Sequence, residues 1–508
     1  FHPMRIRAYL FSILFLALHH SSFAGRVEHD GCYAEWSEQE IIVGNTLIER
    51  RWTIKNGLLT ATSLLDKTTQ QEWLRSPGRQ AAPHPGTAVG EGEWKLSFAE
   101  ASGQLHPVEE ESLEVRLTAT GPGDTFHYRF QIYPQSAGVT LSFRSGGEAA
   151  SGQAETADET KPDGLEGAPT PPKRGRGPMA AAEDFLLAPR HLRYTQVELL
   201  DQTDSYDELV FEREWLPLHD KIEAPGNLFH VEDPLSGRGL IFLKLAPLPH
   251  ARPVPSPADL QVAGAQRRVT FTGPDYPWVV LAYRDGRAGR IATLQDYQRC
   301  MRLYEPNRDG QFLSNTWGDR NRDARVSAEF LSKEIEAGAR LGVDVVQVDD
   351  GWQKGQSGNS AFGKGAWGNF RASDPEFWTP HPERFPEGVK PLVEAAKAKE
   401  MKFGLWFGPD RDNDMAAWER DADLLLGAFK KEGVDYVKVD AVEITSRAAE
   451  ENLQRFYDKV LRDSNGRVVF DADVTAGRRP GYFGLARVGP IFLENRYTDW
   501  HKYWPHHT

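Results

Sequence analysis

The 508-residue sequence predicts an α/β chain preceded by a large all-β half, a β-sandwich followed by a (β/α)8 barrel cut short after about six strands. Three observations carry this. Residues 33 to about 290 hold short alternating runs punctuated by Gly, Pro and Asn, such as Leu113-Glu114-Val115-Arg116-Leu117 and Phe126-His127-Tyr128-Arg129-Phe130. From 311 apolar strands alternate with amphipathic helices, the pattern of a parallel sheet. No Gly-rich phosphate loop follows the first of these strands, which disfavours a nucleotide fold.

The elements of the second half follow in order. Strand one is Phe312–Trp317 and strand two Val343–Asp350. Between them a helix carries Phe330, Leu331, Ile335 and Leu341 on one broad face, with Gly338 allowing close approach and Gly342 ending it. Helix Gly388–Glu400 leads to strand three, Lys402–Phe407. Helix Met415–Lys431 leads to strand four, Val434–Asp440, and helix Ser446–Leu461 to strand five, Arg467–Asp471. Strand six is Gly489–Glu494. A closed barrel needs eight. The domains expected are a signal peptide over 4–24, a sandwich over 33–300 with a disordered insertion at 145–182, and an incomplete barrel over 311–508.

Composition bounds the function. Lys+Arg number 60 and Asp+Glu 73, a formal net charge of -13, which argues against a nucleic-acid partner because phosphate contacts need a basic face. Two cysteines, Cys32 and Cys300, exclude a disulfide scaffold. From Met4, Arg5 and Arg7 precede the apolar run Leu10–Leu18 and a small-residue site at Ser22-Phe23-Ala24, the pattern of a secretory signal. The expectation is an exported, secreted or periplasmic protein with no membrane span; homo-oligomerisation stays open.

The polar residues mark the strand ends, where such barrels place their chemistry. Strand two ends Asp349-Asp350-Gly351-Trp352, strand three Trp406-Phe407-Gly408-Pro409-Asp410, and strand four Lys438-Val439-Asp440. Strand five ends Asp471-Ala472-Asp473 and strand six Glu494-Asn495-Arg496-Tyr497-Thr498-Asp499. Carboxylates accept hydrogen bonds from sugar hydroxyls, and a sugar's apolar face stacks on an aromatic ring. A divalent-metal site of Asp349, Asp350 and Asp440 is the rival chemistry. No His accompanies them at ligand spacing and Lys438 would repel the ion, so no metal and no cofactor are expected. Glycoside hydrolysis by two carboxyl groups fits better.

Five stretches occur together and in order: Asn315-Thr316-Trp317, Val348-Asp349-Asp350-Gly351-Trp352-Gln353, Phe385–Leu392, Met401–Phe407, and Tyr436-Val437-Lys438-Val439-Asp440. With them residues 312–508 resemble the barrel of the family 36 α-galactosidases, the melibiase-like enzymes of clan D, and the first half resembles their N-terminal sandwich. The resemblance implies a retaining glycosidase acting on terminal α-galactosides. It makes Asp440 the nucleophile and Asp499 the acid/base, with Asp471, Asp473 and Glu494 as rivals for that second role. Lys438, Asp349, Asp350, Asp473 and Arg496 become substrate contacts, and Trp352 and Trp406 aromatic walls. Val439 stands where the family commonly has Trp, and Asp410 where it has Glu. Asp473–Arg479 replaces a Cys- and Gly-rich segment that meets the sugar's 2-position. An α-N-acetylgalactosaminidase, a raffinose-synthase-like transglycosylase, and a non-catalytic galactoside-binding protein are the alternatives.

Overall fold

The computed structural model describes residues 24–79, 92–146, 181–199, 210–217, 219–249, 252, 258–273, 276–319, 321–365, 374–442, 444–473 and 487–492. The first half consists of antiparallel strands in three sheets of six, nine and five strands. They close on one apolar core, to which the six-stranded sheet gives Trp52, the nine-stranded sheet Phe130 and Phe229, and the five-stranded sheet Phe271.

Its boundaries differ from the sequence reading. The first strand is Gly25–His29, eight residues ahead of the expected start at 33. It pairs antiparallel with Cys32–Trp36 across Asp30-Gly31, both at positive φ, the conformation that favours Asp-Gly in a two-residue hairpin. The proposed signal peptide lies outside the described residues except for Ala24, whose N–H already donates to the carbonyl of Trp36. The insertion at 145–182 is trimmed at both ends, since Ser145 closes one strand and Ala181 opens another; 147–180 lie outside the described residues. The last part of the sandwich range is not β. Helix α1, Gly286–Met301, packs Tyr297, Cys300 and Met301 on Ile241 and Leu281 of the nine-stranded sheet. Cys32 and Cys300 are both buried free thiols.

The second half is a parallel sheet in sequence order: β1 Leu313–Asn315, β2 Val345–Val348, β3 Lys402–Phe407, β4 Tyr436–Val439, β5 Val469–Asp473 and β6 Ile491–Phe492. The strands match the six expected, most of them shorter at their ends. The helices are α2 Ala328–Leu341, α3 Lys390–Lys397, α4 Trp418–Glu432 and α5 Arg447–Asp463. Side-chain alternation splits the sheet's faces. Val346, Val348, Phe403, Leu405, Phe407, Val437, Val439 and Phe470 pack under the helices with Leu331, Ile335, Leu426 and Phe456. The other face begins with Leu313, Val345, Tyr436 and Val469 and turns polar towards the strands' C-terminal ends.

Local chemistry sets the helix ends. Ser327 Oγ accepts the N–H of Phe330 to cap α2, and Gly342 at φ +75° closes it. Gly338 packs on Met401 and Val343 as expected of a close approach, whereas Leu341 is 74% exposed and leaves the core face. The helix expected from Met415 starts only at Trp418. Asn413, Asp414 and Met415 are left-handed, and Asp414 instead accepts a hydrogen bond from Ser446, the N-cap of α5 (2.6 Å). The halves meet along α5, where Tyr276 Oη donates to Glu450 (2.6 Å) and Arg462 donates to the carbonyl of Leu105 (2.9 Å).

Two substitutions test this packing with opposite signs. Leu331→Ala, at a fully buried core position, should lower stability by about 2–5 kcal/mol. Gly427→Ala, within α4 where an added Cβ meets nothing, should raise it by up to about 1 kcal/mol. Urea denaturation midpoints of the two variants read both effects.

Candidate active site

The polar face carries a row of side chains at strand-end level. Asn315, Gln347, Asp349, Trp406, Lys438, Asp440, Asp471 and Asp473 occupy alternate positions of β1 to β5 or the residue just beyond. Parallel register sets Trp406 beside Lys438 and Lys438 beside Asp471. Gly404 leaves room for this row: a Cβ there would stand 3.2 Å from Tyr436 and 3.3 Å from Gln347.

Lys438 is the hub. Its Nζ donates to Asp349 Oδ2 at 2.9 Å and lies 3.8 Å from Asp473 Oδ2. Burial pushes its ammonium pKa down, but the charges of Asp349, Asp440 and Asp473 together outweigh this and hold it above the usual lysine range. Asp349 is positioned from β1: Asn315 Nδ2 donates to its Oδ2 (3.0 Å) and to Gln347 Oε1 (2.6 Å), and Thr316 Oγ1 accepts its backbone N–H (3.0 Å).

Asp440 follows β4 and is only partly buried. Its backbone N–H donates to the carbonyl of Phe407 (3.0 Å). Oδ1 accepts the N–H of Ala441 (2.5 Å), and Oδ2 accepts the indole N–H of Trp406 (3.2 Å). Ala441 sits at φ +56°, a cost a non-glycine residue bears only where its surroundings impose the turn.

Asp350 faces the loop after β2. Gln353 Nε2 donates to its Oδ1 (2.6 Å) and Ser357 Oγ to its Oδ2. Burial raises its carboxyl to about 6 against these donors. Gly351 makes the intervening turn at φ +111°, and a Cβ there would fall 2.4 Å from that of Asp323. Burial likewise raises Asp471 to about 7, opposed by the Lys438 charge and a hydrogen bond with Gln347.

The structure thus brings Asp349, Lys438, Asp440, Asp473 and Trp406 into one cluster and turns Asp350 toward its own loop. Trp352 is buried; its indole N–H donates to the carbonyl of Trp406 (2.7 Å), and both rings pack with Trp378. In the loop after β2, Phe377 and Trp378 belong to this aromatic cluster, while Trp367 and Phe370 lie outside the described residues. So do Asp499, Arg496 and Glu494. Asn315 and Gln353 entered the sequence reading only as members of the matching stretches, with no role, and Gln347 and Ser357 were not singled out. Gln347 had a readable signal, being the one polar residue within Val345–Val348 and two positions before Asp349. Among the described residues no cluster of three or more His, Cys, Asp or Glu has the geometry to hold a metal ion. A cavity of about 480 Å³ at the seam between the halves, lined by Arg129, Arg144 and Arg447, is separate from this cluster.

The site is a strand-end set of carboxylates around a buried lysine on an α/β sheet. Residues 274–466 match the Melibiase family model. α-Galactosidase C of Emericella nidulans is 29% identical over 134 residues, 23% of this chain and 16% of that protein. α-Galactosidase 2 of Pediococcus pentosaceus is 32% identical over 96 residues, 19% of this chain and 11% of that protein. The chain therefore matches well under two thirds of these curated relatives' length. The fold is similar to that of the GH36 α-galactosidase AgaB of Geobacillus stearothermophilus, with TM-score 0.56 at 13% identity over 90% of this chain and 74% of that one. The α-galactosidase of Lactobacillus brevis gives 0.52 at 13% identity over 91% and 74%. In sequence, residues 274–466 are similar to the melibiases, and in fold the described chain is similar to GH36 α-galactosidases.

The raised carboxyl of Asp471 has a consequence for stability. Its folded pKa lies above the unfolded value of about 3.9, so the native state holds the extra proton and loses stability as pH rises from about 4 to about 7. Asp471→Asn removes that contribution. The variant should gain stability relative to wild type across this window, and denaturation midpoints measured at pH 4, 5, 6 and 7 check it.

Proposed function

We propose that this protein is an exported retaining glycosidase that cleaves terminal α-galactosides, built on a (β/α)8-type barrel of which β1 to β6 are part. The observation that carries the reading is that Lys438 of β4 and Asp440 just beyond it, two residues apart, share the face on which Lys438 bonds Asp349 just beyond β2. A sugar held there meets a nucleophile, a cation and acceptor carboxylates together.

In the proposed mechanism Asp440 attacks the anomeric carbon while a second carboxyl protonates the leaving oxygen. The carbon–oxygen bond to the aglycone breaks and a glycosyl ester of Asp440 forms. Water then attacks the same carbon, giving its proton to that second carboxyl group, now the base, and the ester bond returns its electron pair to Asp440. Asp499 is assigned as the acid/base, and retention requires it about 5–5.5 Å from Asp440; Arg496 precedes it by three residues in sequence. The charge of Asp440 is among those that raise the Lys438 ammonium, so the proposed nucleophile and this cation interact directly.

Asp349, Lys438 and Asp473 are assigned to the sugar's hydroxyls; Asp350, expected in sequence to share that role, is held instead by Gln353 and Ser357 of its own loop. A wrongly placed hydroxyl leaves such buried groups unpaired, which is how the site would tell galactose from its 4-epimer. Among the described residues no helix is long and apolar enough to cross a membrane.

The test is Asp440→Gly assayed on an aryl α-galactoside, alongside aryl α-N-acetylgalactosaminide and α-glucoside. Turnover of the galactoside should fall on the order of 10³-fold or more. NMR of the wild-type reaction should record the α-anomer released first. Undiminished turnover, or the β-anomer first, rejects the proposed mechanism.

A further inference from the structure

We propose that Trp406 is a positioning residue for Asp440, fixing the carboxylate through its indole N–H and stabilising its charge as it leaves the glycosyl ester. This rests on the reading of Asp440 as nucleophile and adds to it a role for a side chain that the sequence assigns only as an aromatic wall.

The geometry is specific. Trp406 is 1% exposed and its ring is enclosed by neighbours. Its carbonyl receives the indole N–H of Trp352 at 2.7 Å, and its ring lies 5.5 Å from that of Trp378. Register places it beside Lys438, and its N–H reaches one residue pair further up the face to Asp440 Oδ2 at 3.2 Å. The other oxygen, Oδ1, accepts the N–H of Ala441 at 2.5 Å. These two donors, one on each oxygen, act together on the plane of the carboxylate.

A donor to a carboxylate bonds most strongly when the carboxylate is charged. In the second half-reaction the bond between the anomeric carbon and Asp440 breaks, and its electron pair returns to the carboxylate. The new carbon–oxygen bond is to water, whose proton passes to the acid/base carboxyl. Charge therefore grows on Asp440 as the transition state is crossed, and the Trp406 N–H gains strength with it. Losing the donor should slow deglycosylation most. It should also make Asp440 easier to protonate. Among the described residues, the ionisable groups sharing this face with Asp440 are Lys438 on β4, Asp349 just beyond β2, and Asp471 and Asp473 on β5. Trp406 on β3 contributes no charge, so removing its N–H alters none of theirs.

The experiment compares the full chain with Trp406→Phe, with Trp406 replaced by its sulfur isostere β-(3-benzothienyl)alanine, which keeps ring shape and lacks the N–H, and with Trp378→Phe as a packing control. An aryl α-galactoside is followed by pre-steady-state kinetics over pH. Both Trp406 variants should show a burst of the phenol, kcat and KM falling together by about tenfold or more, and the acid limb of kcat/KM moved to higher pH. Trp378→Phe should leave the acid limb in place. An isostere with wild-type kinetics and an unmoved acid limb overturns the proposal while leaving the nucleophile assignment intact. An equal shift in Trp378→Phe overturns it too, since packing alone would then explain the effect. Full turnover by Asp440→Gly removes the reading on which it rests.

Discussion

One buried ammonium holds this site together. Lys438 lies almost wholly out of water, where a lone charge would lose its proton or unfold the strand that carries it. It stays charged because Asp349, Asp440 and Asp473 surround it. The dependence is mutual: without the lysine, Asp349 and Asp473 would be buried carboxylates without their cation. Breaking such a pair from one side costs several times what the pair contributes, so the cluster stands or falls as a unit.

The rest of the second half serves to put that charge there. One face of the parallel sheet is apolar and covered by helices, which fixes strand order and register; the opposite face is then free to carry Asn315, Gln347, Asp349, Lys438 and Asp471 in alternate positions. A slip of one residue in β4 would carry Lys438 under the helices and bring Val439 to the polar face. The first half braces α5, the helix that follows β4, through Tyr276 and the segment near Leu105. The aromatic cluster of Trp352, Trp378 and Trp406 closes the top of the sheet and reaches Asp440 by a single N–H.

Much of this was legible in the sequence because burial writes a period. The six parallel strands and the helices between them follow from apolar runs and capping residues, and strand three has the same bounds in sequence and structure, Lys402–Phe407. That Asp349, Lys438 and Asp440 lie at one end of the sheet was legible from their place at strand ends, and their joint role came from the family resemblance. What escaped was conformational or lateral. Of the left-handed run Asn413–Met415 only Met415 was read as helical, because its side chain suits a helix, so the start of α4 was placed too early. The Asp30-Gly31 hairpin was a readable turn signal left unused. Asn315 and Gln353 act by reaching sideways to a neighbouring carboxylate, and no periodicity encodes the partner of an amide. Asp350 lies next to Asp349 in sequence, yet its carboxylate is held by the loop donors Gln353 and Ser357, a division that adjacency alone hides. Trp406 looked like a stacking surface because composition does not tell a ring's face from its N–H edge.

The most direct measurement of the central claim is a double-mutant cycle in urea denaturation between Lys438→Met and Asp349→Asn at neutral pH. A hub that depends on mutual compensation predicts strong non-additivity, with a coupling energy of about 1–3 kcal/mol and the double variant more stable than the sum of the single losses implies. Additive losses within about 0.5 kcal/mol would mean that the two charges do not support each other, and would contradict the account.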